Sequence, residues 1–198
     1  GVGGVVAPGA AGVGGRGGVT RAPMADVTGS EAAGSAGAGV GGSAVVWQGP
    51  AATEAAGRRF ASLLTAGDVV LLTGPLGAGK TTFVRGLGDG LGVRGPVTSP
   101  TFVIARSHPS LTDGVRLVHV DAYRLDSTGA LADLDLEAEL DDAVIVVEWG
   151  AGKAEFLSDD RVEVTIAREG DSRTVEVEGT GDRWRGVGAV GVLRGDSR

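Results

Sequence analysis

From residue 45 onward the apolar positions fall into runs and alternations of clear period. Asp68-Val69-Val70-Leu71-Leu72-Thr73 is a short apolar run rich in β-branched residues. That is the pattern of a strand covered on both faces in a parallel sheet. Ala143-Val144-Ile145-Val146-Val147 is a second, more strongly apolar run. Within residues 82–91, Phe83, Val84, Leu87 and Leu91 recur at helical spacing, and Gly92 supplies a stop. A helix over residues 51–64, behind Pro50, sets Ala56, Phe60, Leu63 and Leu64 on one face. Residues 161–167 and 173–178 alternate instead, with Val162, Val164, Ile166, Val175 and Val177 inward. Glu169-Gly170-Asp171 turns them into an antiparallel hairpin. Pro100 fixes a bend, and the apolar run over 101–105 predicts a strand. Residues 115–120 predict another, reached through an Asp113-Gly114 turn. Weaker signals predict an edge strand over 45–47 and short helices over 128–134, 136–140 and 153–157, the first capped by Ser127.

Composition changes this picture mainly at the ends. Residues 1–44 are rich in Gly, Ala, Val and Ser, and sixteen of the 37 glycines fall in the first 50 residues. Such a segment cannot bury enough surface to offset its ordering entropy, so disorder is expected. The only methionine is Met24, which reads as a native start, with residues 1–23 as an extension. Mass spectrometry of the native protein tests this: an intact peptide from residues 1–23 refutes it. One domain over 45–180 and a Gly- and Arg-rich flexible tail over 181–198 complete the expected organisation of the 198 residues.

The chain has no cysteine, which excludes disulfides and Cys-based metal sites. Its two histidines, His108 and His119, cannot build a His-rich site alone. His119 lies within a strand and reads as a packed histidine. A formal charge of −7 disfavours electrostatic binding of nucleic acid by the whole surface. No apolar run reaches the length of a membrane span, and the start lacks a signal-peptide pattern, so a cytoplasmic protein without membrane contact is expected.

The chemistry starts at Gly74-Pro75-Leu76-Gly77-Ala78-Gly79-Lys80-Thr81-Thr82, which fits the phosphate-binding loop G-x-x-x-x-G-K-[ST]. It follows a predicted strand and opens a predicted helix, the context such a loop requires. Backbone N–H groups from Gly74 and from Leu76 to Thr82 are the candidates to cradle the phosphates of a nucleoside triphosphate. Lys80 places a point charge on the β- and γ-phosphates, and the Thr81 hydroxyl can ligate Mg²⁺. Only two lysines occur in this arginine-rich chain, Lys80 and Lys153. One of them at this position marks a place where arginine could not substitute. Asp121 ends the 115–120 strand and Glu148 follows the 143–147 strand directly. In an open α/β sheet, ligands lie at the carboxyl ends of the strands. The two acids are therefore candidates for positioning Mg²⁺ and the attacking water, with Glu148 and Thr81 as the metal-side pair. Which acid touches the metal stays open at this level. The fold class expected is α/β: a P-loop NTPase-like three-layer sandwich with a mostly parallel central sheet and a C-terminal antiparallel hairpin.

Four segments stand in order: GPLGAGKTT at 74–82, SPTF at 99–102, HVDAYRL at 119–125 and VVEWG at 146–150. Together they resemble the TsaE (YjeE) family of small bacterial ATPases needed to make threonylcarbamoyl-adenosine in tRNA. The resemblance covers about residues 50–180. It implies ATP and Mg²⁺ as ligands and the TsaD and TsaB subunits as partners. Hydrolysis would reset the complex between turnovers, with tRNA contacted only indirectly. It also implies that Thr98, Ser99 and Thr101 form a switch-like segment sensing the γ-phosphate, that Asp121 and Glu148 are the functional acids, and that Trp149 lines the nucleotide site. Pro75 stands where that family often has an acid, and its missing N–H removes one donor. Two alternatives remain on the same loop: a small-molecule kinase, for which no arginine-rich lid is visible, and a nucleotide-dependent interaction module. A guanine-specific switch is disfavoured because N-K-x-D needs asparagine, and the chain has none.

Overall fold

The computed structural model describes residues 44–100 and 102–196. The expected N-terminal disorder, the Met24 start and Thr101 fall outside the described residues. The apolar runs form one seven-stranded mixed sheet in the order β1-β7-β6-β2-β5-β4-β3. Its strands are β1 (Val45–Gln48), β2 (Val69–Thr73), β3 (Ala105–His108), β4 (Arg116–Asp121), β5 (Ala143–Glu148), β6 (Arg161–Glu169) and β7 (Ser172–Thr180). The helices are α1 (Gly49–Phe60), α2 (Lys80–Leu91), α3 (Thr128–Ala132) and α4 (Ala189–Arg194). The four central strands β6, β2, β5 and β4 are parallel, while β1, β7 and β3 pair antiparallel at the edges. Parallel pairing is therefore confined to the centre. The C-terminal hairpin is present, but its first strand β6 sits against β2 inside the sheet.

The pleat of β2 divides its side chains between two cores. Val70 and Leu72 face a layer built by α1, α2 and α4, whose largest members include Phe60, Phe83, Leu87, Trp184 and Leu193. Val69 and Leu71 face Val118, Ile145, Leu131, Leu136 and Leu157, under short helical pieces only. The thicker layer is knitted by aromatic stacking, Trp47 on Phe83 at 5.5 Å and Phe60 on Trp184 at 6.2 Å.

Helices α1 and α2 meet backbone to backbone. A Cβ on Gly86 would lie 1.9 Å from the Glu54 carbonyl oxygen, and one on Gly57 would lie 2.2 Å from that of Phe83. These are not flexible neighbours, so the helices must separate to admit a methyl group. Gly86→Ala is expected to destabilise the protein by about 3 kcal/mol, the upper end of ordinary overpacking. Gly129→Ala, in α3, meets nothing nearer than 3.8 Å and serves as the neutral control in the same thermal-unfolding series.

Three expectations change. The apolar run after Pro100 is not a strand: the Pro100 carbonyl accepts from the Val103 and Ile104 N–H groups, closing a turn. Phe102 is 85% exposed, and pairing begins only at Ala105. The predicted turn at Asp113-Gly114 does close a β3–β4 hairpin, through a longer loop than two residues. The segment read as a flexible tail carries α4, with Trp184 and Leu193 buried. Arginines tie it down from both sides, Arg59 of α1 and Arg183 of the segment itself. Arg59 donates to the Val192 and Leu193 carbonyls at 3.0 and 2.9 Å, and Arg183 donates to the Asp68 carboxylate at 2.9 Å. Trp47 adds a bond from Nε1 to the Leu193 carbonyl.

His108 on β3 is buried, and among the described residues its Nε2 has no hydrogen-bond partner. Burial pushes its pKa below the usual histidine value, and the neighbouring His119 and Arg106 act the same way. The folded protein therefore holds fewer protons than the unfolded chain between that lowered value and 6.5. Stability should rise with pH through this window and be complete above it. His108→Gln is expected to flatten that rise, read from Tm between about pH 5 and pH 7.5.

Candidate functional site

The register of the parallel strands builds the site. Leu72 of β2 pairs with Glu148 of β5, which pairs in turn with Asp121 of β4. The carboxyl ends of three strands thus stand side by side, and the loop 74–79 leaves β2 at the same edge. Sequence placed the two acids at strand ends; only pairing shows that they face one another next to the loop.

Gly74 is required by crowding as well as by conformation. It has φ +144°, and a Cβ there would lie 2.1 Å from the Ile166 carbonyl oxygen on β6. The loop then runs through exposed Leu76 and buried Ala78 to Gly79, and α2 begins at Lys80. A cleft of about 350 Å³ opens over this loop. Of the residues singled out from sequence, Leu76, Gly77, Gly79, Lys80, Thr81, Thr82, Ser99, Asp121, Glu148 and Trp149 line it, together with Tyr123. Gly74 and Ala78 belong to the loop but do not line the cleft. Thr98 is directed elsewhere: its hydroxyl accepts from Arg106 at 3.2 Å.

Lys80 is 4% exposed. Its ammonium donates to the carbonyls of Gly74 at 2.8 Å and Pro75 at 3.1 Å, and lies 3.9 Å from the centre of the Trp149 ring. Burial lowers its pKa below the usual lysine value, and the charges of Glu148 and Asp121 offset part of that. The cation is thus held in place by the loop's own carbonyls and an aromatic face, in a setting that leaves it short of solvation.

The acids are fixed by separate sets of donors. The Thr81 hydroxyl donates to Glu148 Oε1 at 2.8 Å, and His119 Nε2 lies 2.9 Å from the same oxygen. Ser99 donates to Asp121 Oδ2 at 3.1 Å, and the Tyr123 N–H donates to Asp121 Oδ1 at 3.0 Å. The second oxygen bond caps a 3-10 turn over Ala122–Arg124, which Lys153 braces through the Ala122 carbonyl. Both lysines of the chain therefore serve this edge of the sheet. Trp149 adopts φ +62°, an uncommon backbone for a bulky residue. Its N–H donates to the Leu72 carbonyl, and its ring packs against Tyr123 with the centres 5.1 Å apart.

His119 was legible from sequence only as a packed residue. It is fully buried, and it also touches Glu148. Arg168 and Arg173 were not singled out at all. Arg168 donates to the Gly77 carbonyl at 3.4 Å, and buried Arg173 lies behind Gly79. Both come from the distant hairpin, so no local signal could have found them.

The donors gathered here, a hydroxyl and two carboxylates, are hard oxygen ligands of the kind Mg²⁺ prefers. Among the described residues no group of three or more His, Cys, Asp or Glu could cage a metal unaided. The set fits a cation that arrives with phosphate and water ligands. A hydroxyl that turns a lone pair to a metal needs an acceptor for its proton, and Glu148 Oε1 is that acceptor for Thr81.

A family model described as "Threonylcarbamoyl adenosine biosynthesis protein TsaE" matches residues 47–175. A tRNA threonylcarbamoyladenosine biosynthesis protein TsaE of Streptomyces coelicolor is 61% identical over 145 residues, covering 70% of this chain and 97% of that one. The protein of the same name from Bacillus subtilis is 38% identical, covering 68% and 84%. A crystal structure of Bacillus subtilis YdiB superposes with a TM-score of 0.61 at 31% identity, covering 79% of this chain and 98% of that one.

Proposed function

The chain belongs to the TsaE family of threonylcarbamoyl adenosine biosynthesis proteins, and from that premise we propose that it is the Mg²⁺-dependent ATP-binding and hydrolysing subunit of a tRNA-modifying assembly. TsaD and TsaB are the partner subunits, and hydrolysis resets the complex between turnovers. The observation that carries this reading is the 2.8 Å bond from Thr81 to Glu148 at the start of a helix that also presents Lys80.

Each residue has a task that follows from its surroundings. Lys80 exchanges two neutral carbonyl acceptors for phosphate oxygens, a stronger charge-assisted pairing. Thr81 and Glu148 hold Mg²⁺, whose presence supplies charge neutralisation at the β- and γ-phosphates. Asp121, braced by Ser99 and the Tyr123 N–H, orients a water. Ser99 links the switch-like segment to that acid. Thr98 and Thr101 would act in the same segment, Thr98 only after leaving Arg106. Tyr123 and Trp149 form an aromatic wall of the cleft.

Partner dependence is supported by the cleft's mouth. Leu76 and Tyr123, which line the cleft, are exposed large apolar side chains, at 84% and 57%. Apolar groups concentrated beside a functional cleft fit a protein partner. The formal charge of −7 supports contact with tRNA through the partners alone. No helix among the described residues is long and apolar enough to cross a membrane, which fits the proposed cytoplasmic setting.

The deciding experiment combines the purified protein with TsaB and TsaD and measures complex formation with and without ATP, then threonylcarbamoyl-adenosine formation on tRNA. An ATP-dependent complex is the expected result. Transfer of phosphate from ATP to a metabolite, with no such complex, would overturn the reading in favour of a kinase.

A further inference from the structure

His119 lies on β4 two residues before Asp121, so both side chains leave the strand on the same face. The backbone partner of His119 is Val146, and that of Asp121 is Glu148. His119 and Glu148 are thus diagonal neighbours across parallel strands, a separation that two long side chains can bridge. They do so at 2.9 Å, with the histidine side chain 0% and the glutamate side chain 4% exposed. An ionised carboxylate accepts and does not donate, so the ring donates from Nε2. His119 Nδ1 has no partner among the described residues. Among the described residues, the only hydrogen bond of this imidazole is therefore with Glu148. It acts on the same oxygen, Oε1, that Thr81 approaches at 2.8 Å.

We infer that His119 is a positioning residue for Glu148. Two donors converging on Oε1 fix the rotation of the carboxylate, so that Oε2 is presented in one orientation to the metal side of the cleft. Thr81 alone cannot do this. It is itself the proposed metal ligand, and a single hydrogen bond leaves the carboxylate free to swing about it. The inference rests on the proposed metal-side role of Glu148. It assigns to a buried strand residue a share in Mg²⁺ affinity without any contact with the metal.

The test separates positioning from packing and from that underlying role. ATP affinity is measured with and without Mg²⁺ in wild type, His119→Gln, His119→Asn and Glu148→Gln, with Tm recorded for each. A glutamine amide can place an N–H donor near the Nε2 position, whereas asparagine is too short to reach Glu148. Partners that orient a metal ligand typically govern about 10- to 100-fold in metal affinity. His119→Asn is expected to lose about 10-fold of the gain in ATP affinity that Mg²⁺ confers, with Mg²⁺-free affinity unchanged. His119→Gln is expected to recover most of that loss. A Mg²⁺-linked gain intact in His119→Asn but lost in Glu148→Gln overturns the inference and leaves the Glu148 role standing. A gain intact in Glu148→Gln overturns both. Equal losses in the two His119 variants, or a loss shared by Mg²⁺-free binding, mark His119 as packing only and overturn the inference. In apo wild type, the imidazole ¹⁵N pattern should show the Nε2–H tautomer, and an Nδ1–H form contradicts the bond itself.

Discussion

Lys80→Ala is expected to raise the Kd for ATP by at least about 100-fold, with or without Mg²⁺. Hydrogen bonds to charged groups are each worth about 1.5–3 kcal/mol, and in the proposed site the ammonium would span two phosphates. Loss of one such pairing at about 2.7 kcal/mol already corresponds to about 100-fold in Kd. The unliganded protein should not share this loss. Burial disfavours the Lys80 cation, while its bonds to the Gly74 and Pro75 carbonyls and its contact with the Trp149 ring favour it, so the two effects oppose each other in the absence of ligand. Tm of the apo variant is expected to stay close to that of wild type. Lys80→Arg separates charge from shape: a planar fork cannot follow an ammonium folded back onto the Gly74 and Pro75 carbonyls, so at least about 10-fold of affinity should still be lost. Calorimetric titration with ATP alongside thermal unfolding reads both quantities. Wild-type affinity in Lys80→Ala would remove the loop from the proposed function.

Glu148→Gln should behave in the opposite way. The amide keeps the shape of the side chain and an oxygen for Thr81, so Mg²⁺-free ATP affinity is expected to stay within about 3-fold of wild type. Turnover should fall by about 100-fold or more, the scale on which losing one group that stabilises transition-state charge acts. Asp121→Asn is expected to retain binding and lose turnover as well, because Ser99 and the Tyr123 N–H hold that carboxylate rather than the phosphates. Single-turnover hydrolysis compared with equilibrium binding gives the split. Turnover unchanged in both acid variants would contradict the assignment of the acids.

The central strands, the loop and the helix behind it were readable because their signals are local. The spacing of Phe83, Val84 and Leu87 fixes the buried face of α2, and all three are 0% exposed. The run 102–104 misled because hydrophobicity alone does not tell a strand from a surface-exposed turn. Its Pro100 carbonyl closes the turn, leaving Phe102 facing outward beside Arg124, whose guanidinium lies 5.0 Å from the ring centre. The tail misled for the converse reason. Its Gly and Arg content suggests solvation until Arg59 and Arg183 are seen donating to carbonyls and to Asp68. Gly57 and Gly86 were equally silent, since a helical glycine reveals close packing only when its neighbour is known.

By itself, then, the sequence determined that a strand, a glycine-bearing loop of G-x-x-x-x-G-K-[ST] pattern and a helix follow one another, and that acids end two further strands. These are properties of spacing along one chain. The tertiary structure decided which strand lies next to which. Placing β5 between β2 and β4 brings Glu148 to Thr81 and His119, and sets Asp121 beside it. Strand order depends on how whole faces bury against two different layers, and no local pattern encodes that.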